Sequence, residues 1–141
     1  MTEAVTIVMV EDDHGHAKLI EKNIRRANIN NEIRHFADGN SALDYMFEAE
    51  VRGNGPLLVL LDLNLPDMQG TDILQRLKAD ETLKRAPVVV LTTTDDKVEI
   101  QRCYDLGCSV YITKPVDYEN FAAAIRQLGL FLSVIKAPEL E

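Results

Sequence analysis

Asp62 closes the apolar run Leu57 to Leu61 and opens the segment Asp62-Leu63-Asn64-Leu65-Pro66, with Gly70 beyond. A second acidic cluster, Glu11, Asp12 and Asp13, closes the apolar run Val5 to Val10 in the same way. Two strand ends that present carboxylates predict a shared cation site. If the two strands are neighbours, about 5 Å apart, the carboxylates of Asp12 and Asp62 meet over the sheet and repel unless a cation lies between them. Magnesium suits such a site, because it takes one or two carboxylates, keeps several waters and leaves room for a phosphate oxygen. Zinc would want nitrogen or sulfur.

The chemistry that follows is phosphoryl transfer with Asp62 as nucleophile. A carboxylate can form an acyl phosphate while a cation and a nearby ammonium neutralise charge on the transferred group. Lys114 supplies the ammonium and the Thr92 hydroxyl a hydrogen bond to a phosphoryl oxygen. Asp12 would bind magnesium directly, Glu11 directly or through water, and the Asn64 backbone carbonyl would complete the shell. Each residue alone has a plainer reading: Asp62 a turn or capping residue, Glu11 and Asp12 helix caps, Thr92 a β-former, Lys114 a surface charge. Their joint placement at successive strand ends is what packing alone would rarely produce. Asp13 reads as the cap of the first helix. His14 and His16 lie two apart, do not share a helix face and read as solvated first-turn residues, His14 at the pocket mouth, rather than a metal pair.

These side chains need a scaffold that gathers strand ends. The strand candidates are Val5 to Val10, Glu32 to Phe36, Leu57 to Leu61, Val88 to Thr92 and Val110 to Thr113. Between them the apolar spacing turns helical, as in Leu19, Ile20, Ile24 and Ala27, then Ala42, Leu43, Met46 and Phe47, then Ile73, Leu74 and Leu77. The longest such stretch runs from Phe121 to Ile135. Alternating strands and helices predict a parallel sheet covered on both faces, whose ligands bind beyond the carboxyl ends of the strands. Gly39, Gly53, Gly55, Pro56, Gly70, Pro87, Gly107 and Pro115 mark the joints.

At 141 residues the chain reads as one domain. A net charge of -8 with a pI near 4.9 and no basic stripe disfavours nucleic-acid binding. No apolar stretch approaches membrane-spanning length. Two cysteines are too few for a disulfide framework, and the absence of a charged-then-apolar leader before Val5 points to the cytoplasm. Cys103 and Cys108 are read as buried small residues on the predicted fourth helix, five positions apart.

The combination resembles the receiver domain of bacterial two-component response regulators over about the first nine-tenths of the chain. That family's acidic pair, phosphoacceptor aspartate, hydroxyl residue after strand four and lysine before proline stand here as Glu11, Asp12, Asp62, Thr92 and Lys114. The resemblance implies a flavodoxin-like α/β fold: a five-stranded parallel sheet in the order 2-1-3-4-5, helices on both faces, and an extended C-terminal helix. It also implies a cis peptide between Lys114 and Pro115, and a switch in which Thr92 moves towards the phosphate and Tyr111 fills the vacated space. Residues 1–127 are expected to form the receiver and 128–141 an extension of the last helix, with no separate output domain.

Output is therefore expected by protein contact. The apolar extension, Leu128, Leu130, Phe131, Leu132, Val134 and Ile135 up to Pro138, favours a homodimer through the predicted fourth and fifth helices and the extension, packing back onto the same domain being the alternative. The segments Leu61 to Pro66, Leu91-Thr92-Thr93 and Tyr111 to Asp117 further resemble stand-alone regulators partnered with phytochrome-type histidine kinases. The resemblance thus implies a cognate histidine kinase, a bacteriophytochrome in that subgroup, and a signalling protein rather than an enzyme. Alternatives are a phosphorelay intermediate serving a histidine phosphotransfer protein, a haloacid-dehalogenase-type phosphohydrolase, and a flavin carrier. The phosphohydrolase would want Asp-x-Asp after strand one and a cap domain. The flavin carrier would want a phosphate loop where Glu11 to Asp13 stand and would repel an anion.

Overall fold

The computed structural model describes residues 5–53 and 55–114, together with Glu119 and Ala123. Five strands, β1 (Thr6–Val10), β2 (Ile33–Phe36), β3 (Leu57–Leu61), β4 (Val88–Thr92) and β5 (Val110–Thr113), form one parallel sheet in the order β2-β1-β3-β4-β5. This is the expected flavodoxin-like order. Helices α1 (His14–Arg26), α2 (Gly39–Met46), α3 (Ala49–Gly53), α4 (Gly70–Ala79) and α5 (Lys97–Leu106) connect the strands.

Strand parity divides the core between the two faces of the sheet. Ile7, Met9, Leu58, Leu60, Val89 and Leu91 pack with Ala17, Ile20 and Ile24 of α1. Their neighbours in sequence, Val8, Val10, Val59, Leu61, Val88 and Val90, pack with residues of α2, α4 and α5, among them Met46, Leu74 and Cys103. Burial on both faces is why β3 and β4 are apolar without alternation.

Local signals explain the joints. Asp13 caps α1, its carboxylate accepting the His16 N–H at 2.9 Å, as the sequence predicts. Asp38 caps α2 in the same way through Ser41. Gly107, at φ 109°, ends α5 in the left-handed region.

That ending corrects one expectation. Cys108 lies beyond the helix that carries Cys103, because Gly107 turns the chain into β5; both thiols are buried in the same core cluster. The first residues of the stretch Val51 to Pro56, before β3, belong to the short helix α3. With α3 counted, the predicted fourth helix is α5. The predicted last helix, the extension 128–141 and the Lys114–Pro115 peptide lie outside the described residues. Among the described residues no helix is long and apolar enough to cross a membrane.

Candidate functional site

The parallel register sets the site. Val10 is opposite Leu61 and Thr92 opposite Thr113, so the residues that follow leave the sheet together at its carboxyl edge. Backbone bonds continue the ladder by one step: Asp62 N–H donates to Val10 O at 3.0 Å, Glu11 N–H to Phe36 O at 3.0 Å, and Lys114 N–H to Thr92 O at 2.6 Å. Four strands thus deliver Glu11, Asp62, Thr92 and Lys114 to one place, as the sequence predicts.

Glu11, Asp12 and Asp62 each offer a carboxylate oxygen within 4.8 Å of the others. Glu11 and Asp62 are buried, 2% and 7% exposed, whereas Asp12 faces solvent. The Lys114 ammonium joins Glu11 Oε1 and lies 3.5 Å from Asp62 Oδ2. Its side chain is only 9% exposed, so it is not the surface charge an isolated lysine would suggest. Burial raises the Glu11 carboxyl above its ordinary range, and the Lys114 hydrogen bond opposes that shift only in part.

One ammonium against three carboxylates leaves the cluster with excess negative charge in a partly desolvated place. An all-oxygen donor set of this kind fits a hard divalent cation that retains water. Glu11, Asp12 and Asp62 would hold it, with the fourth ligand expected from the Asn64 carbonyl.

The loop after β3 is held over this cluster. Asn64 N–H donates to Asp62 Oδ1 at 3.2 Å, and Asn64 Nδ2 donates to Thr92 Oγ1 at 3.4 Å. Accepting from Asn64 leaves the fully buried Thr92 hydroxyl its own O–H to donate. Tyr111, on β5, packs against the core, and its hydroxyl donates to Thr94 O at 2.6 Å. Burial pushes its phenol up to about 12.

Several participants carried no clear sequence signal. The two first-turn histidines diverge: His14 meets His35 edge to face at 5.7 Å between centroids, and His16 Nδ1 lies 3.3 Å from Lys114 Nζ. His35 Nε2 lies 2.7 Å from Glu11 O and so supports the acidic loop from β2. Asp67 accepts the N–H groups of Gly39 and Asn40 at 2.8 Å each, which ties the loop after β3 to the start of α2. Only the position of His35 near the end of the second strand could have hinted at its place.

Comparison with known proteins decides the family. The family profile described as the response regulator receiver domain matches residues 7–126. The chain belongs to that family. A crystal structure of a response regulator receiver domain from Rhodospirillum rubrum is 67% identical, with a TM-score of 0.78, covering 92% of this chain and 94% of that one. The response regulator Rcp1 of Synechocystis is 34% identical over 89% of this chain and 86% of its own length. A structure of the Mn(2+)-bound form of Rcp1 superposes with a TM-score of 0.73 at 30% identity, over 87% of this chain and 90% of that one. The phosphorylated cyanobacterial phytochrome response regulator RcpA superposes with a TM-score of 0.75 at 34% identity, covering 92% of this chain and 94% of that one. Phytochrome response regulators are thus among the relatives this receiver resembles, as expected from its motifs.

Proposed function

We propose that this receiver accepts a phosphoryl group on Asp62 from a histidine kinase and signals through changed protein contacts. The observation that carries the reading is the convergence of Glu11, Asp12 and Asp62 within 4.8 Å, with the Lys114 ammonium reaching both Glu11 and Asp62. An Asp62 carboxylate oxygen forms a bond to phosphorus as the phosphorus–nitrogen bond of the donor phosphohistidine breaks. The leaving imidazole keeps that electron pair and later takes a proton from solvent. Lys114 and the Thr92 O–H stabilise charge on the phosphoryl oxygens. A divalent cation, Mg2+ in this reading and in line with the Mn(2+)-bound relative, supplies Lewis-acid neutralisation of the transferred group when bound by Glu11, Asp12, Asp62 and the Asn64 carbonyl.

The phosphate then biases a two-state packing, Thr92 moving towards it and Tyr111 following. The output face in this reading includes α5, whose Val98 and Tyr104 are exposed. Homodimerisation through this face, the last helix and the 128–141 extension is the proposed readout. The similarity to phytochrome response regulators favours a phytochrome-type sensor kinase as donor.

Incubation with a small phosphodonor and Mg2+ should label the wild type and leave Asp62→Asn unlabelled. Retained labelling of the variant would remove Asp62 from its role. Purified phytochrome-type kinase should phosphorylate the protein much faster than an unrelated histidine kinase. Mass in solution with and without Mg2+ and beryllofluoride tests the dimer, and an unchanged mass would count against phosphorylation-controlled assembly.

A further inference from the structure

Lys114 carries a protonated amine with three hydrogens and no acceptor capacity. Three acceptors surround it: Glu11 Oε1, Asp62 Oδ2 at 3.5 Å and His16 Nδ1 at 3.3 Å. The two carboxylates approach from the buried side of the site. The imidazole approaches from α1, on the solvent side, with its own side chain 48% exposed. Because an ammonium can only donate, this contact is a hydrogen bond in the tautomer that keeps the ring proton on Nε2 and leaves Nδ1 as acceptor. The Asp13 carboxylate is farther from the same nitrogen, at 3.9 Å, and its other oxygen accepts the His16 backbone N–H at 2.9 Å.

From this geometry we infer that His16 is a positioning residue for the phosphoryl-transfer lysine. The inference rests on the reading of Asp62 as phosphoacceptor and adds to it the device that holds Lys114 still. When a phosphoryl group arrives on Asp62, the lysine must turn one N–H from the Asp62 carboxylate to a phosphoryl oxygen. Anchored by Glu11 alone, the ammonium would swing about a single bond. Anchored also by His16, it keeps its remaining hydrogen aimed into the site. Fixed donors accelerate a reaction because they need no reorganisation as charge develops. His16 touches only the lysine in this scheme and not the reacting atoms.

Asparagine places its side-chain oxygen close to the position of histidine Nδ1, whereas leucine fills the volume without an acceptor. His16→Asn and His16→Leu, in the full chain, therefore separate the hydrogen bond from packing, with thermal midpoints confirming that both fold. The first readout is the rate of Asp62 labelling by phosphoramidate at saturating Mg2+. His16→Asn is expected to stay within about twofold of wild type and His16→Leu to slow roughly tenfold, the worth of one hydrogen bond. The second readout needs no phosphate: the Nζ resonance of Lys114 in 15N-lysine-labelled protein should persist in wild type and His16→Asn and broaden by solvent exchange in His16→Leu. Equal behaviour of the leucine variant and wild type, or an equal loss in both variants, would overturn the role of His16. A wild type that takes no label would instead overturn the phosphoacceptor reading, and the Lys114 resonance would then decide the anchoring by itself.

Discussion

Gly70 presses its Cα against the backbone that carries Asp62. A Cβ at Gly70 would overlap the Asp62 carbonyl oxygen and come within 2.7 Å of Leu63 Cα, backbone atoms that cannot rotate away. The Gly70 N–H also donates to Leu63 O at 2.8 Å, so the first residue of α4 and the loop after β3 form one tight unit. Gly70→Ala should therefore push the backbone at Asp62 out of register, at a cost of about 1–3 kcal/mol in urea unfolding. It should also weaken Mg2+ binding, because the three carboxylates would no longer converge. Wild-type stability together with wild-type Mg2+ affinity would show that the loop absorbs the methyl group freely.

Lys114 competes with any bound cation for the same carboxylates. Lys114→Met keeps much of the side-chain volume and removes the charge, so two effects of opposite sign follow. Mg2+ should bind more tightly, since the cluster loses the ammonium that neutralises it, while Asp62 labelling by a small phosphodonor should slow about 10²-fold through loss of one preorganised donor. Without metal the variant should be destabilised by about 3 kcal/mol, because Glu11 is left buried beside Asp62, and saturating Mg2+ should restore most of that. Calorimetric titration and labelling kinetics on the same preparation check both signs, and weaker Mg2+ binding would contradict the competition.

Most of the scaffold was legible because its signals are local. The strand runs, the period change between strands and helices, and the Gly and Pro punctuation mark five strands whose carboxyl ends carry Glu11, Asp12, Asp62, Thr92 and Lys114, whereas the order 2-1-3-4-5 was legible only through the resemblance to the receiver family. Asp13 was legible as a cap for the same reason. Cys108 was misplaced because a helical period carries no stop signal except Gly107, and the five-residue helix α3 is too short to show a period. The contacts of His16, His35 and Asp67 depend on how the loops after β1 and β3 fold over the sheet. Such contacts join residues distant in sequence and leave no pattern along it.

Asp67 is one of those contacts, and its electrostatics give it a pH signature. The N–H groups of Gly39 and Asn40 hold its carboxyl below the ordinary value of 3.8. A depressed folded-state value means that the contribution to stability is present above pH 3.8 and is lost as pH falls through the lower, folded value. Asp67→Asn should accordingly make stability fall less steeply as pH drops below 3.8. It should also speed amide exchange at Gly39 or Asn40 several-fold at neutral pH, because the asparagine amide keeps one acceptor oxygen and turns an N–H2 towards the other backbone N–H. Protection at those two amides that matches wild type would mean that Asp38 and the helix suffice without the clamp.

Tyr111 gives the complementary signature at alkaline pH. Its phenol, pushed from an ordinary value of 10.0 up to about 12 by burial, donates to Thr94 O at 2.6 Å. The neutral phenol is the form that the fold accommodates, so its contribution is complete below about pH 10 and is lost as pH rises through about 12. Tyr111→Phe keeps the ring in the core and removes both the titration and the hydrogen bond. At neutral pH the variant should lose about 1 kcal/mol, whereas between pH 10 and 12 its stability should fall less steeply than that of wild type, so the two curves converge. Urea midpoints at pH 8 and pH 11 measure the difference. If the gap between the proteins is the same at both pH values, Tyr111 does not sit in the folded state as a partly buried, neutral donor to Thr94.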